Sequence, residues 1–235
     1  MSVSSVFSLA KDSLIQHIGT RLVVSTSTAT WGNTLIGPPR AGDFIYVQVS
    51  SPYTYAPQIA TAGYTLIAEN LSNTNYDSDT HSYYKISDGT ETRVDFGSTN
   101  TTYGAIAFLS IFRGVDNTNP FDVPPVTAAD AYYLQSSYRP VPDIYPVTSG
   151  ALIIKSMHTV YAGDPTSVVF FTPNNSQVKL LKTYSYPTPS TKATAIIATT
   201  TYNEALKSFG AVPNINESLS TNFGASSIAV ALRPA

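Results

Sequence analysis

The feature that most constrains this chain is its punctuation. From residue 22 onward it is a succession of short β-branched and aromatic runs closed by Gly, Pro, Asn or Asp, with no strong helical stretch between them. Runs at 22–28, 44–50, 64–70, 81–86, 92–96 and 105–112 are followed by others at 151–158, 167–171, 177–184, 193–201 and 226–232. Strands that follow one another without crossover helices pair antiparallel, and their apolar faces must close against each other as a sandwich or barrel. The chain is therefore read as all-β, an antiparallel jelly-roll-like β-sandwich, with residues 22–235 forming a single domain. Ahead of it Val6, Leu9, Leu14, Ile15 and Ile18 fall near helical spacing with Gly19 behind them, so residues 1–21 are read as an N-terminal arm or short helix.

The two halves echo each other. Gly42, Tyr64, His81 and Gly104 open apolar segments that are matched in order by segments opening at Gly150, Gln177, Lys192 and Gly224. This order suggests two pseudo-repeated four-stranded halves with loops of different length. Between them lies a connection, residues 113–149, which carries Pro120, Pro124, Pro125, Pro140, Pro142 and Pro146 and so disfavours a central strand. A connection of that length inside a compact domain is usually functional or covers another surface.

Composition narrows the possible partners. Hydrophobic residues make up 43% of the chain, and 16 tyrosines and 10 phenylalanines provide ample material for a core. Charged residues are only 12%, against about 25% in an average soluble domain. A surface so neutral is poorly protected against association and suits a subunit of an assembly. With a formal net charge of −2 and no basic run, the chain lacks the electrostatic footprint of a nucleic-acid binder. Absence of cysteine excludes disulfides, thiolate metal sites and a cysteine nucleophile. Residues 1–20 lack a basic start followed by an apolar run, and no segment reaches about 18 consecutive apolar residues. The expectation is a chain with no export signal and no membrane insertion.

Several segments together resemble a β-sandwich module found in bacteriophage tail-fibre and other virion structural proteins. They are the Pro-x-x-Gly-Asp lead-in at Pro39 to Asp43, the Gly-aromatic-Thr-Leu strand at Gly63 to Leu66, and the Tyr-Tyr-Lys-x-x-Asp-Gly segment at Tyr83 to Gly89. The apolar strand ending in Arg-Gly-Val-Asp-x-x-Asn-Pro follows at Arg113 to Pro120, and the chain closes on Arg233 to Ala235. Tyr64 stands where that module usually carries Trp. The resemblance implies an architecture and a context, a phage particle assembled from proteins made in the host cytoplasm, and no particular ligand. Gly42 and Gly114 are expected at positive φ, and Asp43 and Asp116 are expected to hold turn amides.

Candidate chemical sites are few. His17, His81 and His158 lack the spacing of paired metal ligands. Asn75, Asp77 and Asp79 resemble the start of a calcium loop without its glycine and distal glutamate. Asp88 with Glu91, or Asp122 with Asp130, would serve as a glycosidase pair only if they converged in a cleft. No nucleophile elbow or phosphate loop is present. No catalytic residue, metal or cofactor is assigned.

Aromatic loop residues are the better candidates for binding or interface roles: Tyr53 and Tyr55 beside Pro52, Tyr76 in an Asn/Asp-rich loop, and Tyr132, Tyr133 and Tyr138 in the long connection. Trp31 is expected in the core. The expected function is that of a non-enzymatic virion protein, a tail-fibre or baseplate-associated module that assembles with other copies of itself, most simply as a trimer. It would contact other virion proteins and a host surface glycan. A capsid decoration protein and a non-catalytic carbohydrate-binding module are the alternatives.

Overall fold

The computed structural model describes residues 15–25, 31–52, 56–72, 77–98, 104–131, 142–161, 171–173, 179–187, 192–201, 213–215 and 223–235. Among these residues there are strands and no helices. One five-stranded antiparallel sheet takes the order β1 (Gln16–Ser25), β7 (Ala105–Arg113), β3 (Phe44–Pro52), β5 (Ser78–Ile86), β4 (Thr65–Ser72). A second takes the order β8 (Phe121–Ala131), β14 (Phe223–Leu232), β9 (Leu152–Tyr161), β12 (Lys192–Thr201), β11 (Lys179–Pro187). Two small sheets complete the set: β2 (Trp31–Thr34) with β6 (Arg93–Phe96), and β10 (Phe171–Pro173) with β13 (Pro213–Ile215).

The two large sheets pack face to face. Phe44, Tyr46, Ile106, Phe108 and Phe112 of the first meet Leu152, Ile154, Ala195, Ile197, Ile228, Val230 and Leu232 of the second in one cluster. The first sheet is buried on its other face as well. Ile45, Val47, Val49, Ala107, Leu109 and Ile111 lie under Trp31, Leu35, Val94 and Phe96, contributed by β2, β6 and Leu35 just beyond β2. Trp31 stacks on Phe96 with ring centroids 4.5 Å apart. A strand covered on both faces needs an apolar side chain at nearly every position, which is why β3 and β7 read as continuous apolar runs instead of alternating ones. On the far side of the second sheet Ile144 packs on Ile153, Ala229 and Ala231, so part of the connection between the halves covers that face.

Three expectations change. Each sheet draws its strands from one half of the chain, residues 16–113 or 121–232, whereas a jelly roll would interleave them. The first strand begins at Gln16, so residues 16–21, read from sequence as the end of the arm or helix, belong to the sheet; Gln16 pairs with Arg113 and Thr20 with Ser110. The helical spacing there is a coincidence of an edge strand that is only partly covered. The stretch 113–149 also contains β8, and its prolines are compatible with a strand because β8 is an edge. Pro124 and Pro125 fall where the pairing with β14 slips, between Val123 and Val126.

Candidate functional site

The sandwich has two unlike ends, and the strand registers define them. At one end Phe44 pairs with Ile86 and Phe112, Gln16 with Arg113, and Leu152 with Leu232. Here the segments that carry the virion-module resemblance act as staples. Gly42 and Gly114 adopt φ of 87° and 84°, which an L side chain resists. Asp43, 2% exposed, accepts from the Arg40 amide at 2.8 Å and takes both arms of Arg113 at 2.8 and 2.7 Å. Burial alone would raise the Asp43 pKa, but the guanidinium of Arg113 and the Arg40 amide outweigh it and hold the carboxyl below its usual value.

Asp116 accepts from the amides of Thr118 and Asn119, as expected of a turn aspartate. The closing residues bind the same turn: the Asp116 amide donates to the Arg233 carbonyl, Ala235 donates to the Gly114 carbonyl, and Val115 bridges Pro234. Described residues at both extremes of the fold, Ile15 and Ala235, therefore sit at this end.

Of the carboxylates weighed as acid or base partners, Asp88, Glu91 and Asp122 lie at this end, whereas Asp130 pairs with Ala225 near the far end of β8. Glu91 meets Lys85 Nζ at 2.8 Å and accepts from Ser87 Oγ and the Asp88 amide. Burial works against its charge, yet these donors pull it down to about 2. Asp88 is fully exposed and holds the Thr90 amide. Asp122 accepts from the Val147 and Thr148 amides at 2.6 and 3.0 Å and from Arg233 at 3.4 Å. It pins the segment that carries Ile144 inward and Tyr145 and Val147 outward, the last two 65% and 75% exposed. No described carboxylate is left converging with another across an open cleft in this set.

The histidines are not grouped either. His17 bonds Thr20 Oγ1 at 2.8 Å. His81 lies edge-on to Tyr83 with Glu69 at 3.8 Å, and burial lowers its pKa against the pull of that carboxylate. His158 is wholly buried between the sheets. Among the described residues no group of three or more His, Asp or Glu is placed to hold a metal. Asp79, from the calcium-like segment, is a buried residue of β5, and Asn75 lies outside the described residues.

Toward the opposite end the interior changes character. The inward positions of β3, β5, β9 and β14 turn from Phe, Ile and Leu to Gln48, Ser50, Ser78, Thr80, Ser82, Ser156, His158 and Ser226, all buried. They form one chain of hydrogen bonds across the sheets: Gln48 to Ser50, Ser50 to Thr80, Thr80 to Ser226, Ser226 to Ser78, and Ser78 to His158 Nδ1 at 2.9 Å. Tyr46 joins Ser82 and Ser156 beside it. The Ser78–His158 contact has the atoms of a nucleophile and its base. However, both side chains are sealed from solvent, and burial takes the imidazole down to about 3, so it is a poor proton acceptor near neutrality. The seam ties the sheets together instead, and sequence reasoning missed it because isolated serines in strands carry no spacing signal.

Beyond the seam the strands end together: Pro52 pairs with Ser78, Ser25 with Ala105, Tyr161 with Lys192 and Phe223, and Ala131 with Gly224. Ser51 Oγ caps the Gly104 carbonyl there. All six candidate tyrosines, Tyr53, Tyr55, Tyr76, Tyr132, Tyr133 and Tyr138, lie outside the described residues. The described residues that precede each group in the chain are Pro52, Ser72 and Ala131, the last residues of β3, β4 and β8, and all belong to this end. No family model matches the sequence, and no curated protein or solved structure matches it.

Proposed function

We propose that the chain is a structural protein of a bacteriophage particle, a tail-fibre or baseplate-associated module that assembles with its own kind and turns one end of its sandwich toward the host surface. The observation that supports this reading best is the polarity of the fold. The stapled end holds Ile15, Ala235 and the Arg-Gly-Val-Asp turn, while the strand ends that precede each group of candidate tyrosines, Pro52, Ser72 and Ala131, lie at the other. A module anchored by one pole and recognising through loops at the other needs a rigid scaffold between them, and the doubly covered first sheet provides one. The virion context comes from the motif resemblance, and the neutral surface suits a subunit that packs against others.

The test is localisation. Antibody raised against the purified chain is expected to label the tail region of intact particles in negative-stain images. Label on the capsid would replace this reading with that of a decoration protein. Particles without label anywhere would overturn the virion assignment, and selective retention of the chain on a glycan array would then favour a carbohydrate-binding module.

A further inference from the structure

The strand orders of the two sheets can be laid over each other element by element. β1-β7-β3-β5-β4 becomes β8-β14-β9-β12-β11, each strand replaced by the one that holds the same place in the other half of the chain. The registers agree as well. Phe44 opposite Phe112 corresponds to Leu152 opposite Leu232, Phe44 opposite Ile86 to Leu152 opposite Thr201, and Thr65 opposite Tyr84 to Lys179 opposite Thr199.

Irregularities coincide too, and these are more telling than regular pairing. One edge strand of each sheet bulges between its second and fourth residues, at Ile67 between Leu66 and Ala68 and at Leu181 between Leu180 and Lys182. The other edge bulges at Ile18, opposite the step from Phe112 to Ile111, and at Asp122, opposite the step from Leu232 to Ala231; β8 slips once more at Pro124 and Pro125, where β1 stays regular. A bulge re-aims its strand and is kept for that reason, so two coincident pairs are hard to attribute to the general likeness of β-sheets.

The correspondence continues outside the sheets. The Ile59–Phe96 bridge, between the β3–β4 connection and β6, corresponds to Phe171–Ile215, between β10 and β13. Gly42 and Gly150, at φ of 87° and 82°, each lead into the central strand. The connection before that strand covers the outer face in both halves, through Trp31 and Leu35 in one and Ile144 in the other. Across the sandwich β4 lies against β8, β1 against β11, and β3 against β9. Exchanging the halves turns the first of these contacts into the second and the third into itself, as an approximate two-fold axis between β3 and β9 requires. The contacts of β14 with β4 and β5, and of β5 with β9, have no comparable counterpart from β7, β12 and β3 among the described residues, so the two units are offset from exact symmetry.

We infer that the sandwich is a fused dimer: two copies of one five-stranded unit, residues 16–113 and 121–232, in which the inner face of each unit is the docking surface for the other. This goes beyond the proposed function and stands whether or not that reading holds.

The equivalence can be tested through the arginines that close the last strand of each unit. Arg113 and Arg233 hold the same place, but their carboxylates come from different neighbours: Asp43, ahead of β3, for Arg113, and Asp122, in the β8 bulge, for Arg233. The place of Asp122 is taken in the first unit by Ile18, which is 42% exposed. In the full chain, Asp43→Ala is expected to lower the urea midpoint and Ile18→Asp alone to leave it nearly unchanged. Asp43→Ala with Ile18→Asp is expected to regain at least half of the loss, because the new carboxylate reaches Arg113 as Asp122 reaches Arg233. Adding Arg113→Gln should abolish the regain.

Should Asp43→Ala fail to fold, Asp43→Asn, which keeps an acceptor for the Arg40 amide, takes its place in the same cycle. No regain in the double variant, or a regain that survives Arg113→Gln, would overturn the equivalence of the two units.

Discussion

His158 and Glu91 set the behaviour of this fold in acid, through opposite kinds of burial. His158 is held neutral, its pKa brought down by burial to about 3 from an ordinary 6.5. The unfolded chain therefore binds a proton that the folded one refuses. Stability is full above about pH 6.5 and falls as pH drops from there through about 3, by up to about 1.4 kcal/mol per pH unit. Glu91 is held charged, at about 2 instead of 4.5, by donors that outweigh its burial. Its contribution is present above about pH 4.5 and is lost as pH falls toward 2.

Urea midpoints measured between pH 7 and pH 3 should show the wild-type chain losing stability below pH 6.5. His158→Phe should flatten the upper part of that loss, and a curve unchanged by the substitution would contradict the assignment. Glu91→Gln removes the charge opposite Lys85, whose side chain is 23% exposed, and should cost about 1–3 kcal/mol at pH 7. Chemical denaturation at fixed pH checks that figure.

At the scale of elements, closeness of approach decides what each segment tolerates. Gly32 in β2 faces Asp95 of β6, and a Cβ at Gly32 would run into the Val94 carbonyl and the Asp95 backbone. Gly32→Ala should therefore lift β2 from β6, loosen the Trp31–Phe96 stack and cost about 2–4 kcal/mol in a thermal or urea melt. A change in tryptophan fluorescence reports the same event, since Trp31 is the only tryptophan in the chain.

The elements that sequence made legible are those with both faces covered or a long apolar run: β3, β7, β9 and β14 lie close to where their residues indicate. β1 and β8 were not legible as strands over their true lengths because edges are half exposed and accept bulges and prolines. β2 and β13 are too short, at 4 and 3 residues, to show a period. The turn residues were legible for a different reason: Gly42, Asp43, Gly114 and Asp116 each satisfy a local backbone demand that sequence alone exposes.

For the whole molecule, the division of the chain into two sheets matters most. The repeated order of segments hinted at it, but pairing them by residue likeness alone set His81 against Lys192. The registers instead bring Tyr84 to Thr199 and Ile86 to Thr201, a difference of four residues in β12. The strand ends that precede the candidate tyrosines share one end of the sandwich, and the polar seam beneath that end was not legible in the sequence at all.

The arm must also be redrawn. Deleting residues 1–21 would remove Gln16 to Arg21 from the first sheet, with the Arg21 bonds to Asn33 and Thr34, and should destabilise the fold whatever the assembly state. Deleting residues 1–14 removes no residue of a described strand.

The measurement that bears most directly on the central claim is the native mass of the full chain by light scattering, across a range of concentration. A module that builds a particle with its own kind predicts a stable oligomer, most simply three chains of 25.2 kDa. A mass of one chain at the highest concentration reached would contradict self-assembly, and with it the fibre reading.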